Sequence, residues 1–445
     1  MDQEKVELSG LERMLIDMWE RVLKVEGIGI DDNFFQLGAD SVAAVRFTNM
    51  LQEKLGELVH ITVVYRMSTI ARLARYLAES YQDSLSTIFG WHLADANGRN
   101  TPKLTESDVS FVKETLSRSH RFSGSNSTFR PNEGNPGKKN PQAVFILCTP
   151  RSGSTLLRVM LGGHKKLFAP PELILLPFSS LTPRREAFSG GRSFWSEGVL
   201  RAIMEIKSCD ADQAKVILQQ CENRDLTIQE FYGLIQEWLG GRMLVDKSPT
   251  YAQSADVLNR AEEYFDNALY VHLVRHPSAM IKSFEDRRME QLSFGEQLNY
   301  DARQLAELIW IVSHRNIIDF LKTLPIERHC RVVFEDLVND PRRVMEKLCA
   351  FLDVDFDEEV LSPYRNQPGK MTDGTRPTSR MLGDPKFHTH TAIDPSVADR
   401  WKDADRPVCI SDMALRLAED LGYEKGPGKD LTPLEVLPQF EPELI

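Results

Sequence analysis

A group of cationic and hydroxyl side chains near the middle of the chain has the composition of an anion site. It follows the apolar run 144–148, which is too short for a typical helix and predicts a buried strand. Apolar residues then recur at helical spacing over residues 156–161. A strand, a small-residue turn and a helix N-terminus together place backbone N–H groups where they can bind an anion. The residues of this turn are Arg151, Ser152, Gly153, Ser154 and Thr155.

The turn is not a Walker A loop. Cys148 stands where that motif has its first glycine, and Ser154 stands where it has lysine, so a kinase or ATPase is disfavoured. The sequence 149–157 instead resembles the 5′-phosphosulfate loop of sulfotransferases, which use PAPS (3′-phosphoadenosine-5′-phosphosulfate) and release PAP. For the loop alone, the alternative is an ordinary strand-to-helix turn of an α/β protein.

A second motif, the sequence 275–277 followed by Ser283, resembles the 3′-phosphate motif of the same family. Arg275 at a strand end and Ser283 about two helical turns further on can both reach one phosphate. Later in the chain, residues 383–386 resemble the loop that closes over the nucleotide, which makes Lys386 a further candidate for cofactor binding. The histidines beside it could equally cap an ordered loop.

Sulfation of an alcohol needs a base for the hydroxyl proton and donors for the charge that develops on transfer. Glu172 follows the loop after one helix and a short strand, and this resembles the placement of the catalytic glutamate in tyrosylprotein sulfotransferases. Lys247, at the end of a predicted strand, and Arg151 would stabilise the transferring group; for Lys247 the alternative is a surface lysine. These charges and the backbone dipoles require no metal. The alternative bases are His164, His272, His276, His388 and His390.

Residues 33–42 resemble the attachment signature of acyl and peptidyl carrier proteins. The resemblance implies that 4′-phosphopantetheine is attached to Ser41, and a simple N-cap role for Ser41 is the alternative. The paired Phe34 and Phe35 favour the peptidyl type, but Ala39 fits neither subtype, so the sequence leaves the polyketide or peptide type open.

These motifs require elements that position them. Further apolar runs at 241–249, 268–277 and 331–337 each precede a polar turn, which predicts a mostly parallel sheet covered by helices. The fold class expected is a small four-helix carrier-protein domain followed by an α/β P-loop-like sulfotransferase domain with a mostly parallel sheet. The predicted domains are a carrier domain at 1–82, a linker with a short helix near Thr105 at 83–141, a sulfotransferase domain at 142–425 and a tail at 426–445.

Composition narrows the possible partners. The net charge of −11 argues against general nucleic-acid binding. The six cysteines form no C-x-x-C pair, which disfavours a disulfide framework or zinc site and suits a reducing cytoplasm. No apolar run reaches the roughly 18 residues of a membrane span, and the first residues lack the apolar core of a secretory signal.

Together the resemblances predict a carrier–sulfotransferase pair from a polyketide or nonribosomal peptide assembly line. The expected reaction moves a sulfo group from PAPS to a hydroxyl, by analogy a β-hydroxyl, of the chain tethered to Ser41. Its expected partners are a phosphopantetheinyl transferase and neighbouring synthase modules or a downstream thioesterase. The alternatives are an inactive nucleotide-binding or docking module and a sulfotransferase for free small-molecule alcohols.

Overall fold

The computed structural model describes residues 2–90, 104–119, 138–293, 300–375, 387–403, 410–425 and 431–433. The described residues form two compact units. The first is drawn from the ranges 1–103, 189–192 and 285–302, and the second comprises the rest. None of the helices in the described ranges is long and apolar enough to cross a membrane.

Eighteen α-helices are present in the described residues. In chain order they are α1 (Asp2–Leu23), α2 (Ser41–Leu55), α3 (Ile61–Arg66), α4 (Ile70–Ser80), α5 (Gln82–Phe89), α6 (Glu106–Ser119), α7 (Ser154–Leu161), α8 (Leu181–Ala187), α9 (Glu197–Lys207), α10 (Ala211–Asn223), α11 (Ile228–Trp238), α12 (Ala255–Tyr264), α13 (Pro277–Asp286), α14 (Glu290–Ser293), α15 (Ala302–Leu321), α16 (Phe334–Asn339), α17 (Pro341–Phe351) and α18 (Asp412–Asp420).

The strands in the described residues form two sheets. They are β1 (Val144–Leu147), β2 (Leu167–Phe168), β3 (Met243–Lys247), β4 (Leu269–Val274), β5 (His329–Val333), β6 (Tyr423–Lys425) and β7 (Leu431–Pro433). The strands β6 and β7 pair antiparallel, and β7 lies within the predicted tail.

Helices α1–α5 build the first unit around an aromatic centre. Trp19, Phe34 and Phe47 are fully buried, and the rings of Trp19 and Phe34 lie 4.6 Å apart. The predicted helical character of this region is therefore confirmed. Large aromatic side chains supply much of the apolar area that a unit of this size needs for a stable core.

Helix α2 differs from the alternative that the sequence left open for Ser41. Its N-cap is Asp40, whose side chain accepts the N–H of Ala43 at 2.8 Å, so the idea that Ser41 is the cap is wrong. Val42 and Val45, although apolar, are 56% and 46% exposed. The buried stripe instead follows the bulky Phe47, and its members are Ala44, Phe47, Leu51 and Leu55.

The second unit is organised by a five-stranded sheet in the order β2-β3-β1-β4-β5, in which every pairing is parallel. Phe145 and Leu147 of β1 face a core with α9–α12, whereas Val144 and Ile146 face a core with α7, α16 and α17. Helices therefore cover both faces, and the predicted α/β class is confirmed.

One predicted strand is shorter than expected. The run 331–337 leaves the sheet after Val333, because Phe334 begins α16. Glu335 and Asp336 then occupy the first helical turn, where carboxylates are favoured by the helix dipole.

Candidate active site

Three predicted motifs meet at one edge of the parallel sheet. The turn 148–153 follows the central strand β1, Lys247 is the last residue of β3, and Arg275 directly follows β4. Both neighbouring strands pair with β1, and Ile146 lies opposite Lys247. Parallel strands end at a common edge, where ligands bind in open α/β sheets.

The turn after β1 has a tightly fixed shape. Gly153 has φ +82°, and a Cβ there would lie 2.2 Å from the ring of Phe334, so a glycine is required on both counts. The hydroxyls of Thr149 and Ser152 lie 2.6 Å apart and both residues are fully buried. Ser154 and Thr155 follow as the first two residues of α7, whose free N–H groups open toward the turn.

Arg151 joins the turn to the second motif. Its Nε donates to Ser283 Oγ at 3.1 Å, and its carbonyl oxygen accepts from Arg275 Nη1 at 2.8 Å. The guanidinium of Arg275 lies 4.5 Å from the ring centre of Phe334. The structure therefore brings together the residues that the sequence assigned to the two ends of one nucleotide.

Glu172 and Lys247 form an ion pair, with 2.7 Å between Oε1 and Nζ. The lysine side chain is 3% exposed and that of the glutamate 21%. Burial raises the pKa of the nearby Cys148 thiol to about 12, and Lys247, Ser154 and Glu172 all influence that pKa. The ion pair thus lies beside the turn at the end of β1.

Beneath this pair lies a buried carboxylate that the sequence did not single out. Asp246 is fully buried and accepts hydrogen bonds from Tyr232 at 2.5 Å, Tyr251 at 3.0 Å and Ser248 at 3.1 Å. Burial raises the pKa of Asp246 to about 6, although these donors favour its charged form. Because Asp246 precedes Lys247, the network holds the end of β3.

The same network also holds the segment that carries Glu172. Ser248 Oγ accepts the N–H of Ile174 at 3.2 Å, and Tyr251 Oη accepts that of Leu175 at 2.9 Å. The fully buried Arg184 donates to the carbonyls of Leu173 and Ile174. Ile174 has φ +47°, a strained value for a β-branched residue that persists only when its surroundings impose it.

A glycine bounds Glu172 on its other side. A Cβ on Gly198 of α9 would lie 2.1 Å from the carbonyl oxygen of Glu172. The backbone of Glu172 is therefore confined by close packing as well as by hydrogen bonds.

A second buried carboxylate, that of Glu335, holds the corner after β4. Glu335 accepts the N–H of His276 at 3.0 Å and the hydroxyl of Tyr423 at 2.8 Å, and its burial raises its pKa. These bonds orient the backbone beside Arg275. The sequence pattern had marked Glu335 only as part of a strand.

Three of the five alternative bases make contacts of their own within the fold. His164 uses both ring nitrogens within the fold, on the carbonyl of Asp355 and the N–H of Lys166. His272 is buried 2.9 Å from a ring nitrogen of His314, and His388 contacts Gln367. Lys386 lies outside the described residues.

Ser41 is the first residue of α2, directly after its cap. Within the described part of the chain, no group of three or more His, Cys, Asp and Glu residues could hold a metal ion.

The residues that the sequence did not single out support the backbone that carries Glu172 and Lys247. Asp246, Ser248 and Tyr251 flank Lys247 and were visible as polar residues after an apolar run. Tyr232 and Arg184 come from α11 and α8, and no local pattern marked them. Only the folded chain shows that their polar groups meet the strand end.

Comparison with known proteins supports both halves of the chain. Residues 141–358 match the sulfotransferase family, and residues 13–77 match the phosphopantetheine attachment site. The sulfotransferase domain of the Synechococcus PCC 7002 olefin synthase is 40% identical with a TM-score of 0.59, covering 65% of this chain and 98% of that domain. The sulfotransferase domain of the curacin biosynthetic pathway is 43% identical with a TM-score of 0.60, covering 64% and 99%.

The attachment region resembles much longer proteins. The PKS-NRPS hybrid synthetase acdB of Aspergillus candidus is 48% identical over 69 residues, which are 16% of this chain and 3% of that synthetase. Among the first curated relatives, the chain spans about half the length of one and a few per cent of the others.

Proposed function

The chain belongs to the sulfotransferase family and carries a phosphopantetheine attachment domain, and from this we propose that it sulfates a chain tethered to its own carrier. The sulfo donor in this family is PAPS. The proposed acceptor is a hydroxyl, by analogy a β-hydroxyl, of an acyl or peptidyl group on the 4′-phosphopantetheine of Ser41. The observation that carries the proposal is the 2.7 Å ion pair of Glu172 and Lys247 at the edge that also bears Arg151, Ser283 and Arg275.

The residues at this edge fit an anionic nucleotide donor. The Arg151 side chain donates to the hydroxyl of Ser283, and the Arg275 side chain donates to the carbonyl of Arg151. Both arginines lie next to the N-terminus of α7. Arg275 and Ser283 would hold the 3′-phosphate, and Arg151 with Ser152, Gly153, Ser154 and Thr155 the phosphosulfate, because guanidinium forks and helix N–H groups match phosphate oxygens. PAPS supplies the sulfo group, whose transfer breaks its bond to the phosphate oxygen and leaves PAP.

Lys247 would stabilise the charge of the transfer. Its ammonium is fixed at the end of β3 with little exposure, so it need not reorganise as charge develops. A preorganised donor of this kind typically contributes about 10²–10³ in rate.

Glu172 would accept the proton of the acceptor hydroxyl. Lys247 occupies Oε1, and a carboxylate has lone pairs on both oxygens, so Oε2 can take the proton. The strained segment after Glu172 and the contact at Gly198 fix its backbone, as general-base catalysis requires of the group that must meet the hydroxyl.

Intact-protein mass spectrometry tests the proposal. The full chain is converted to its holo form, loaded with hydroxyacyl groups and mixed with PAPS. We expect the mass of one sulfo group to be added to the tethered chain, and no addition in Ser41→Ala or Glu172→Gln. Glu237→Gln, an exposed carboxylate on α11, is the matched control and should react normally. Sulfation of free alcohols alone would contradict the tethered acceptor, and PAP binding without any transfer would indicate a binding module.

A further inference from the structure

The first unit contains more than the carrier helices. Residues 285–302 also belong to it, although they fall inside the span 141–358 that matches the sulfotransferase family. In the chain they begin two residues after Ser283 and include Glu285 and Asp286, the last two residues of α13. Of its described residues, those at 285–293, which include α14, make specific contacts within the unit.

Gln291 is the centre of these contacts. It is 1% exposed, its Oε1 accepts the N–H of His60 at 2.9 Å, and its carbonyl oxygen accepts the hydroxyl of Thr62 at 2.8 Å. Its Nε2 donates to Tyr81 Oη at 2.7 Å, and Tyr81 in turn donates to the carbonyl of Leu58. A buried glutamine amide needs partners for its donors and its acceptor, and carrier residues supply both kinds.

Arg288 adds charge to the same surface. Its guanidinium forms an ion pair with Glu57, donates to the carbonyl of Ser80 at 2.8 Å and lies 4.4 Å from the ring centre of Tyr81. The nearby carbonyl of Arg287 lies 2.7 Å from the Nε2 of His60. The carrier surface thus offers the Glu57 carboxylate, the Ser80 carbonyl and the ring of Tyr81, and the segment offers the matching cation and amide.

We infer that residues 285–293 are a docking element for a carrier domain, and that its partner is the carrier domain of this same chain. The role that we assign to this docking rests on the proposed function, because the element would deliver the tethered substrate to the sulfotransferase. Polar and charged groups of the segment contact complementary groups of the carrier helices, and such complementarity gives an interface specificity. In the chain, this element begins two residues after Ser283, the serine proposed to bind the 3′-phosphate.

Hydrogen exchange in the full-length protein tests the docking without requiring any catalysis. We expect the amide of His60, whose acceptor is the Gln291 side chain, to exchange at least about tenfold faster in Gln291→Ala and in Arg288→Glu. The charge swap Arg288→Glu with Glu57→Arg should restore slow exchange, which excludes simple misfolding. Arg75→Glu, an exposed arginine on α4, is the matched control. Unchanged exchange in Gln291→Ala and Arg288→Glu, or a swap that restores nothing, overturns the inference.

Single-turnover sulfation of the loaded carrier, at saturating PAPS, tests the purpose of the docking. We expect the rate to fall at least fivefold in Arg288→Glu and to return to within twofold of wild type in the charge swap. An undiminished rate in Arg288→Glu would overturn delivery by this element. If neither wild type nor any variant transfers a sulfo group, but hydrogen exchange changes as expected, the proposed function is wrong and the docking inference still stands.

Discussion

Lys247 Nζ lies 2.7 Å from Glu172 Oε1, and the lysine side chain is almost fully withdrawn from solvent. Each ion therefore compensates the other in a site of reduced polarity. Removing either partner leaves a buried or half-buried charge without its counterion, which costs more than the pair itself contributes. The pair should consequently behave as one catalytic unit.

Glu172→Gln should abolish proton abstraction while leaving nucleotide binding intact. We expect kcat to fall by about 10²–10⁴, because a neutral amide cannot accept the hydroxyl proton. The affinity for PAP, measured by calorimetry, should change less than threefold. A large loss of PAP affinity would instead assign Glu172 a structural role.

Lys247→Ala should lower kcat by about 10²–10³ through the loss of a fixed donor. The double variant with Glu172→Gln should be little slower than the slower single variant, because residues that act as a unit are not additive. Lys347→Ala, an exposed lysine on α17, serves as the control in the same sulfation assay. Fully additive losses would separate the two roles.

Arg275→Ala should weaken PAP binding and spare ligands that lack a 3′-phosphate. A charged hydrogen bond contributes about 1.5–3 kcal/mol, so the affinity for PAP should fall roughly 10- to 150-fold. The affinity for adenosine 5′-monophosphate should stay within threefold, and Arg416→Ala on the surface of α18 should change neither. Equal losses for both nucleotides would show that Arg275 does not recognise the 3′-phosphate.

Gly153→Ala should destroy the turn after β1 rather than merely strain it. An added Cβ would lie 2.2 Å from the Phe334 ring. The backbone conformation, with φ +82°, is also unfavourable for a residue that has a Cβ. Gly240→Ala separates these effects, because Gly240 has φ +60° but nothing within 4 Å of the added carbon. We expect Gly240→Ala to cost about 1–2 kcal/mol in stability and to bind PAP normally. Gly153→Ala should bind PAP at least about tenfold more weakly than Gly240→Ala, and equal binding would contradict the packing argument.

Asp246 should make the stability of the second unit depend on pH. Its folded pKa of about 6 lies above the ordinary value of 3.8, so the folded state retains a proton that the unfolded state loses. The stability linked to Asp246 is therefore complete below about pH 4 and is lost as the pH rises through 6, by on the order of 3 kcal/mol.

Differential scanning calorimetry between pH 4 and pH 7 measures this effect. The melting temperature of Asp246→Asn, relative to wild type, should rise across that window and stay level above it. Asp319→Asn, exposed on α15, should show no such change. A constant difference between wild type and Asp246→Asn would show that Asp246 does not titrate in the window.

The sequence predicted the parts of the site that depend on local pattern. The apolar run at β1, the helical spacing of α7 and the polar ends of β3 and β4 are all readable, and parallel pairing then brings Arg151, Lys247 and Arg275 to one edge. The supports of the site were not readable, because Tyr232 and Arg184 reach it from separate helices. Arginine side chains usually lie at the protein surface, yet Arg184 is fully buried. The carbonyls that accept its hydrogen bonds come together only in the tertiary fold.

The orientation of α2 is a second feature that the sequence did not predict. The register of α2 depends on which residues the aromatic core accepts, and the bulk of Phe47 turns Val42 and Val45 outward. Residues 285–302 likewise read as part of one domain, and only contacts distant in sequence assign them to the other unit.

The confinement of Glu172 has a consequence for how such enzymes diversify. The Glu172 segment is held by Gly198, Ser248, Tyr251 and Arg184, so substitutions there should displace the proposed base. At Glu172 Oε2, where the proposed acceptor would lie, the described residues show no such support. New acceptor preferences should therefore arise through substitutions on the Oε2 side of Glu172. Grafting the Glu172 segment into another protein should succeed only when Gly198, Ser248, Tyr251 and Arg184 are transferred with it.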